Sequence, residues 1–510
     1  MIEELKKLCK VSNDTILREI KICYEKQGYI NTAQEQYVKI ALSKHGVEKP
    51  TTKSKPKKST APIHITITNQ IALAGLTKNK AEAIKKKYTI NNPKWFENSR
   101  MGRWQGDTPR FLFLWSEFEG IYYVPCGCLD ELQEIIDTDT VILKDNTQNS
   151  PVEINFKGKL KDFQKDAVND ILPHNFGTLV APTGAGKTVM GLYVVAGRKQ
   201  KTLIIVHTKD LAHQWVERIH TFLDVKESDV GMIGAGKKKV GKKITVGLVQ
   251  SIYSRIDELS NEFGNIVQDE CHRTPSRSMS EAVNGFNARY KLGLTATPKR
   301  RDGLTKLIFW YLGDIRHEVN KKMLVDEGHI MMPWFILKNT EFIPEKDPVE
   351  EYSAMLKELT EDQERNNLIV TDISRQNKTC LIISDRTAHL KELQRSLKNR
   401  YKINSELLIG PTPNDERAEI ISKVNSGKCQ FLFATGQLIG EGFDCKNLDR
   451  LFITTPIKFS GRVLQYIGRI MRPADGKDRP IVYDYVDQYV DPLKNSARAR
   501  IRVYGKENIK

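Results

Sequence analysis

Two short stretches carry residue types at spacings suited to phosphate chemistry. "APTGAGKT" (residues 181–188) sets Gly184 and Gly186 ahead of Lys187 and Thr188, between an apolar run "TLVA" and a helix-like run "VMGLYVV". Glycines let the backbone curl until its amides face an anion, and a helix N-terminus adds partial positive charge. A lysine there reaches the outer phosphates of a nucleotide, and the neighbouring hydroxyl can ligate a divalent cation. The second stretch, "NIVQDECH", ends an apolar run in Asp269, Glu270, Cys271 and His272. Three chemistries fit that tetrad: a metal cluster, a cysteine nucleophile beside a histidine, or the carboxylate pair of a nucleotide hydrolase.

The first stretch favours the third chemistry. Ala181 followed by Gly186-Lys187-Thr188 departs from the usual P-loop only in its opening alanine. The expected nucleotide contacts are Pro182, Thr183, Gly184, Ala185, Gly186, Lys187 and Thr188, and the expected ligands are ATP and Mg²⁺. A P-loop needs a carboxylate at the end of another strand of its sheet. Asp269 fits as the metal-side acid, acting with Thr188 and through water, and Glu270 fits as the base for an attacking water. A metal cluster would need further Cys or His at ligand spacing, and a thiol nucleophile would need a depressed cysteine pKa. Alternation along a strand would also point Cys271 and His272 to opposite faces.

Around these motifs the chain divides into five expected segments. Residues 1–49 read as short amphipathic helices, with Ile16, Ile20 and Tyr24 on one stripe; a small bundle or a helix-turn-helix reader of DNA would fit. Residues 50–61, "PTTKSKPKKSTA", read as a basic flexible linker. Residues 62–140 read as a small α+β module, with "IHITITNQIAL" alternating as a strand and two strands joined around Gly120. Its stretch "WFENSRMGRW" interleaves Trp95 and Trp104 with Arg100 and Arg103, a pattern suited to stacking on bases while guanidinium groups hold phosphates. Cys126 and Cys128 stand too close together, with no second Cys/His pair, to suggest zinc. Residues 141–325 and 326–510 alternate strand and helix, which predicts an α/β fold of two tandem parallel-sheet domains.

Composition agrees with an anionic partner. Lys and Arg total 80 against 63 Asp and Glu, a net charge of +17 that favours a polyanion such as nucleic acid. No run approaches the roughly 18 apolar residues of a membrane span. With eight cysteines, none in a Cys-x-x-Cys pair, and no signal-peptide pattern at the start, a reducing cytoplasm and no membrane partner are expected.

Between Lys159 and Val486 the motifs follow one another in the order of the superfamily-two helicases, and the chain resembles the branch that contains XPB and UvsW. That resemblance implies two RecA-like domains closing on ATP. It assigns Gln164 of "LKDFQKDAV" to adenine. Thr208 and Gln214 of "VHTKDLAHQW", Gln250 and Ser251 after "ITVGLV", and Thr435 of "ATGQLIGEGFDC" are assigned to the nucleic-acid backbone. Gly442 and Asp444 fall on the nucleotide side, Thr295 and Thr297 of "LTATP" couple ATP state to nucleic acid, and His272 links the nucleotide site to them or to Gln465. Gln465, Arg469 and Arg472 of "QYIGRIMRP" would face the phosphates, the arginines stabilising transition-state charge. The implied activity is ATP-driven unwinding, annealing or branch migration of duplex, forked or branched DNA, with RNA as a possible second track. The alternatives are a duplex translocase of a restriction or defence system, or an ATP-gated DNA-binding scaffold.

Overall fold

Runs such as "FGTLV" and "TLIIV" are buried along their whole length, as central strands of a parallel sheet must be. A computed structural model describes residues 62–136, 140–273, 277–298, 302–440, 445, 447–457, 460–474 and 476–510. The expected helical extension and linker, together with Gly442 and Asp444, lie outside the described residues. By packing, the chain divides into two units: residues up to 180 with 189–207 and 218–318, and residues 181–188 and 208–217 with 319–510.

The first unit begins with the small module. Its elements are β1 (Ile63–Ile67), β2 (Gln70–Ala74), α1 (Lys78–Lys87), β3 (Thr89–Asn91), α2 (Pro93–Arg100), β4 (Phe111–Phe113), β5 (Ser116–Phe118), β6 (Ile121–Pro125), α3 (Leu129–Ile136) and β7 (Val141–Asp145). One sheet runs β5-β6-β2-β1-β7, and β3 pairs separately with β4. Two expectations need correction. "IHITITNQIAL" is a hairpin rather than one strand, because the chain turns at Thr68, whose N–H donates to the Gln70 carbonyl at 2.8 Å. The sheet also runs past residue 140, since β7 pairs in parallel with β1.

The parallel sheet follows: α4 (Asp162–Ile171), β8 (Phe176–Val180), α5 (Lys187–Arg198), β9 (Thr202–Val206), α6 (Lys209–Phe222), β10 (Val230–Gly234), β11 (Lys237–Lys239), β12 (Ile244–Leu248), α7 (Val249–Tyr253), α8 (Ile256–Leu259), β13 (Asn265–Gln268), α9 (Arg277–Asn284), β14 (Tyr290–Thr295), α10 (Thr305–Leu312) and β15 (Ile315–Glu318). The strand order is β11-β10-β12-β9-β13-β14-β8-β15. β8 and β13 both run parallel to β14, which lies between them, so their C-terminal ends share one edge.

The module is fused to this sheet through a common core. Trp310 of α10 is 2% exposed and lies in one hydrophobic cluster with Tyr88, Leu132 and Phe176. Its ring meets Tyr88 edge-on at 5.3 Å, its Nε1 donates to Glu131 at 3.1 Å, and its carbonyl accepts the Cys128 thiol at 3.8 Å. Arg316 of β15 adds an ion pair to Asp130.

The second unit contains α11 (Lys321–Asp326), β16 (Trp334–Thr340), α12 (Tyr352–Glu361), α13 (Gln363–Ser374), β17 (Cys380–Ser384), α14 (Thr387–Tyr401), β18 (Glu406–Leu408), α15 (Asn414–Asn425), β19 (Phe431–Thr435), α16 (Gly436–Gly440), β20 (Arg450–Ile453), α17 (Ser460–Ile470), β21 (Ile481–Asp487) and α18 (Asp491–Tyr504). Its parallel sheet runs β16-β21-β20-β17-β19-β18. Packing places the division after Glu318, ahead of the expected 325, because α11 belongs to this unit. Among the described residues no helix is long and apolar enough to cross a membrane.

Truncating the shared aromatic tests the fusion. Trp310→Ala should cost the first unit about 3–5 kcal/mol, as large-to-small changes in a core do. The measurement is the urea midpoint; an unchanged midpoint would show that the module and the sheet have separate cores.

Candidate nucleotide and nucleic-acid site

β8 ends at Val180, and the loop that follows carries Gly184 at φ +91° and Gly186 at φ +85°. These values belong to the left-handed region, where glycine is unstrained, and they curl the loop ahead of the twelve-residue helix α5. Ala181 is buried and is not among the described residues with positive φ, so the opening position accommodates a Cβ. Lys187 Nζ donates to the Ala181 carbonyl at 3.2 Å, folding the ammonium back over the loop. Glycine cradle, helix N-terminus, lysine and the Thr188 hydroxyl together form a donor set that fits a nucleotide triphosphate.

Within the second unit, which includes this loop, α17 approaches it closely. A Cβ on Gly468 would collide with Thr183, and one on Gly184 would lie 3.9 Å from Arg472 Cγ. Arg469 Nε donates to the Ile439 carbonyl at 3.3 Å. Burial pulls the Lys477 ammonium down to about 8 against the opposing influence of Asp449, and it donates to the Arg472 carbonyl at 2.9 Å. Gln465 lies on α17, and its side chain is outside the described residues.

At the end of β13, Asp269 is 7% exposed and its N–H donates to Ile205 of β9 at 3.1 Å. Its Oδ1 accepts the Glu270 N–H at 2.9 Å. Glu270 has φ +49°, a strained conformation for a residue with a side chain. The chain then enters a short 3₁₀ turn, Cys271–Arg273, and this corrects the strand alternation expected for the tetrad. Cys271 is fully buried against Gly293, whereas His272 turns towards the tip of β14. His272 Nδ1 lies 3.2 Å from Thr295 Oγ1 and 3.4 Å from the Glu270 carboxylate. The Thr295 hydroxyl donates to the Thr297 carbonyl and accepts the Thr297 N–H, both at 3.2 Å. The structure therefore brings Asp269, Glu270, His272, Thr295 and Thr297 together.

The remaining expected residues are spread out. Gln164 is buried, and its Oε1 accepts the Lys161 N–H at 3.0 Å, so it caps the start of α4. Thr208 Oγ1 accepts the Leu211 N–H at 3.4 Å at the start of α6, on which Gln214 also lies. Gln250 and Ser251 lie in α7 just beyond β12, and Thr435 closes β19. In the module, Trp95 is half-buried, with the Arg110 guanidinium 5.2 Å from its ring, while Arg100, Arg103 and Trp104 are exposed. Cys126 and Cys128 donate to the Thr68 and Trp310 carbonyls, and burial raises both thiols.

Two supports escaped the sequence reading. Arg365, buried, pairs with Asp487 at 2.8 Å and donates to the Thr454 carbonyl at 2.8 Å. Arg500, buried, pairs with Asp484 at 2.8 Å and donates to the Ile457 carbonyl at 3.4 Å. Both guanidinium groups hold the segment leading from β20 into α17. In sequence each reads as one more charge on a helix face.

Comparison with known proteins follows the same division. Residues 157–300 match the family described as "Type III restriction enzyme, res subunit", and residues 363–474 match "Helicase conserved C-terminal domain". "DNA 3'-5' translocase XPB2" of Sulfurisphaera tokodaii is 30% identical over 355 residues, covering 62% of this chain and 80% of the relative. "ATP-dependent DNA helicase uvsW" of Enterobacteria phage T4 is 26% identical over 351 residues, covering 64% of this chain and 68% of that one. Among solved structures, a fragment of a putative HsdR subunit of a type I restriction enzyme from Vibrio vulnificus YJ016 shares the fold. It has a TM-score of 0.52 at 17% identity and covers 68% of this chain and 66% of that one.

The burial of Cys271 yields a direct test. Cys271→Ala should cost about 1 kcal/mol of stability and leave ATP turnover within about twofold of the unmodified chain. Loss of turnover in a folded Cys271→Ala protein would restore the thiol as a reacting group.

Proposed function

This chain belongs to the superfamily-two helicases of the XPB/UvsW branch, and from that premise we propose that it is an ATP-driven motor on duplex, forked or branched DNA. One observation carries the reading. β8, which leads into the Gly-rich turn, and β13, which leads into the adjacent carboxylates, end at the same edge of one parallel sheet. That is where a P-loop and its metal-side acid must meet a nucleotide.

Bound Mg·ATP supplies the phosphoanhydride whose cleavage drives movement. The loop amides of 183–186 and Lys187 hold the phosphates, and Thr188 and Asp269 are the residues that would hold Mg²⁺. Glu270 takes the proton of the attacking water, its carboxylate lying 3.4 Å from His272 Nδ1. Arg469 and Arg472 stabilise charge that spreads over the outer phosphate oxygens, and Gln465 is proposed to serve the same step. His272 reads the state of Glu270 and passes it to Thr295 and Thr297. Thr208, Gln214, Gln250, Ser251 and Thr435 grip the backbone of the track without reading sequence, as a motor requires. Gln164, Gly442 and Asp444 are further proposed nucleotide contacts, Gln164 to the adenine.

Strand separation and annealing are the proposed outcomes, with branch migration as the form they take on four-way DNA. A second reading is translocation on duplex DNA without strand separation. It draws support from the restriction-enzyme description of the matched family and from the HsdR-like fold. Strand displacement measured beside triplex displacement separates the two.

Glu270→Gln should lower ATP turnover by about 10²–10⁴-fold while ATP and DNA still bind, as read by steady-state hydrolysis and filter binding. Hydrolysis that survives this change would assign the base elsewhere, and stimulation by RNA alone would remove DNA as the track.

A further inference from the structure

Among the described residues, Trp104 is the most exposed large hydrophobic side chain, at 82%. Most large apolar side chains of this chain are buried, so an indole in water needs a reason. It sits in the loop between α2 and β4. Gly106 lies beneath it: a Cβ there would stand 3.0 Å from the indole Cζ3. One face of the ring is therefore backed by backbone and the other is open. Arg100 and Arg103, both exposed, precede it in the same stretch of chain.

The loop is braced rather than loose. Arg103 N–H donates to Asn98 O at 2.9 Å, Asn92 N–H donates to Arg110 O at 2.8 Å, and Asn92 Nδ2 donates to Pro109 O at 2.7 Å. Arg110 in turn lies 5.2 Å from Trp95 and 5.3 Å from Phe111, which closes the base of the loop. The module carrying it shares its core with the β8–β15 sheet through Trp310, and a Cβ on Gly303, just beyond β14, would lie 3.7 Å from Pro93 of α2. An indole mounted in this way moves with the ATP-hydrolysing sheet.

We propose that Trp104 is a stacking site for one unpaired DNA base, with Arg100 and Arg103 holding the phosphates on either side. The open face of an indole matches the face of a base, and only an unpaired base offers that face, since duplex bases are covered by their neighbours. A second copy of this chain is a poor occupant, because each copy carries a net charge of +17. The site makes the small module the part that distinguishes a fork or junction from continuous duplex. This rests on the DNA-motor reading above.

The test uses the full-length chain and two readouts, unwinding of a forked duplex and displacement of a triplex strand. In W104A the ratio of fork unwinding to triplex displacement should fall about tenfold, and W104F should recover most of it. Single-stranded oligonucleotide should quench the tryptophan emission of the unmodified chain, and W104F should lose most of that quench. A W104A ratio within about twofold of the unmodified chain, or a quench that persists in W104F, overturns the stacking site alone. An unmodified chain that displaces neither strand overturns the motor reading beneath it.

Discussion

The geometry of the site depends on what happens where β13 ends. Asp269 stays anchored to β9 through its backbone while Glu270 turns into the left-handed region. That reversal lets the chain enter a 3₁₀ turn and swing His272 towards Thr295 at the tip of β14. One hydrogen bond therefore links the carboxylate end of one strand to the Thr-Ala-Thr end of the next. Strain of this kind persists only where its surroundings hold it. Here they are a fully buried Cys271 below and the hydroxyl network of Thr295 above.

The second unit meets a comparable demand with buried charge. Removing one partner from a buried ion pair is costly because the other charge is left unpaired. Arg365 and Arg500 each keep a carboxylate partner on β21 and a backbone carbonyl on the approach to α17. These bonds fix the path into the helix that bears Arg469 and leads on to Arg472, whose charge must be aimed within a narrow range to act on phosphate. Position is thereby set by residues that never meet the nucleotide.

The parts legible in the sequence were those written locally. A strand–glycine–helix pattern announces the P-loop, and an apolar run ending in Asp-Glu announces its partner. The parts that were not legible depend on distant neighbours. "IHITITNQIAL" alternates through a turn, and only the pairing of β1 with β2 reveals the hairpin. Trp95 and Trp104 look alike in the sequence, yet Arg110, fifteen positions beyond Trp95 in the chain, lies over one ring while the other stays exposed. Trp310 reads as part of an ordinary apolar helix and proves to join the small module to the ATP-binding sheet. Cys271 and His272 lie past the end of β13 at Gln268, so strand alternation does not govern where they point.

The bond between His272 and Thr295 is where hydrolysis and movement are proposed to meet, so its removal is the most direct test. The measurement is the ratio of DNA-stimulated to DNA-free ATP hydrolysis in His272→Ala against the unmodified chain, at saturating ATP. Coupling through this bond predicts that the ratio falls towards one while DNA still binds. A ratio equal to that of the unmodified chain would contradict it, and would place the link between nucleotide and nucleic acid elsewhere in the fold.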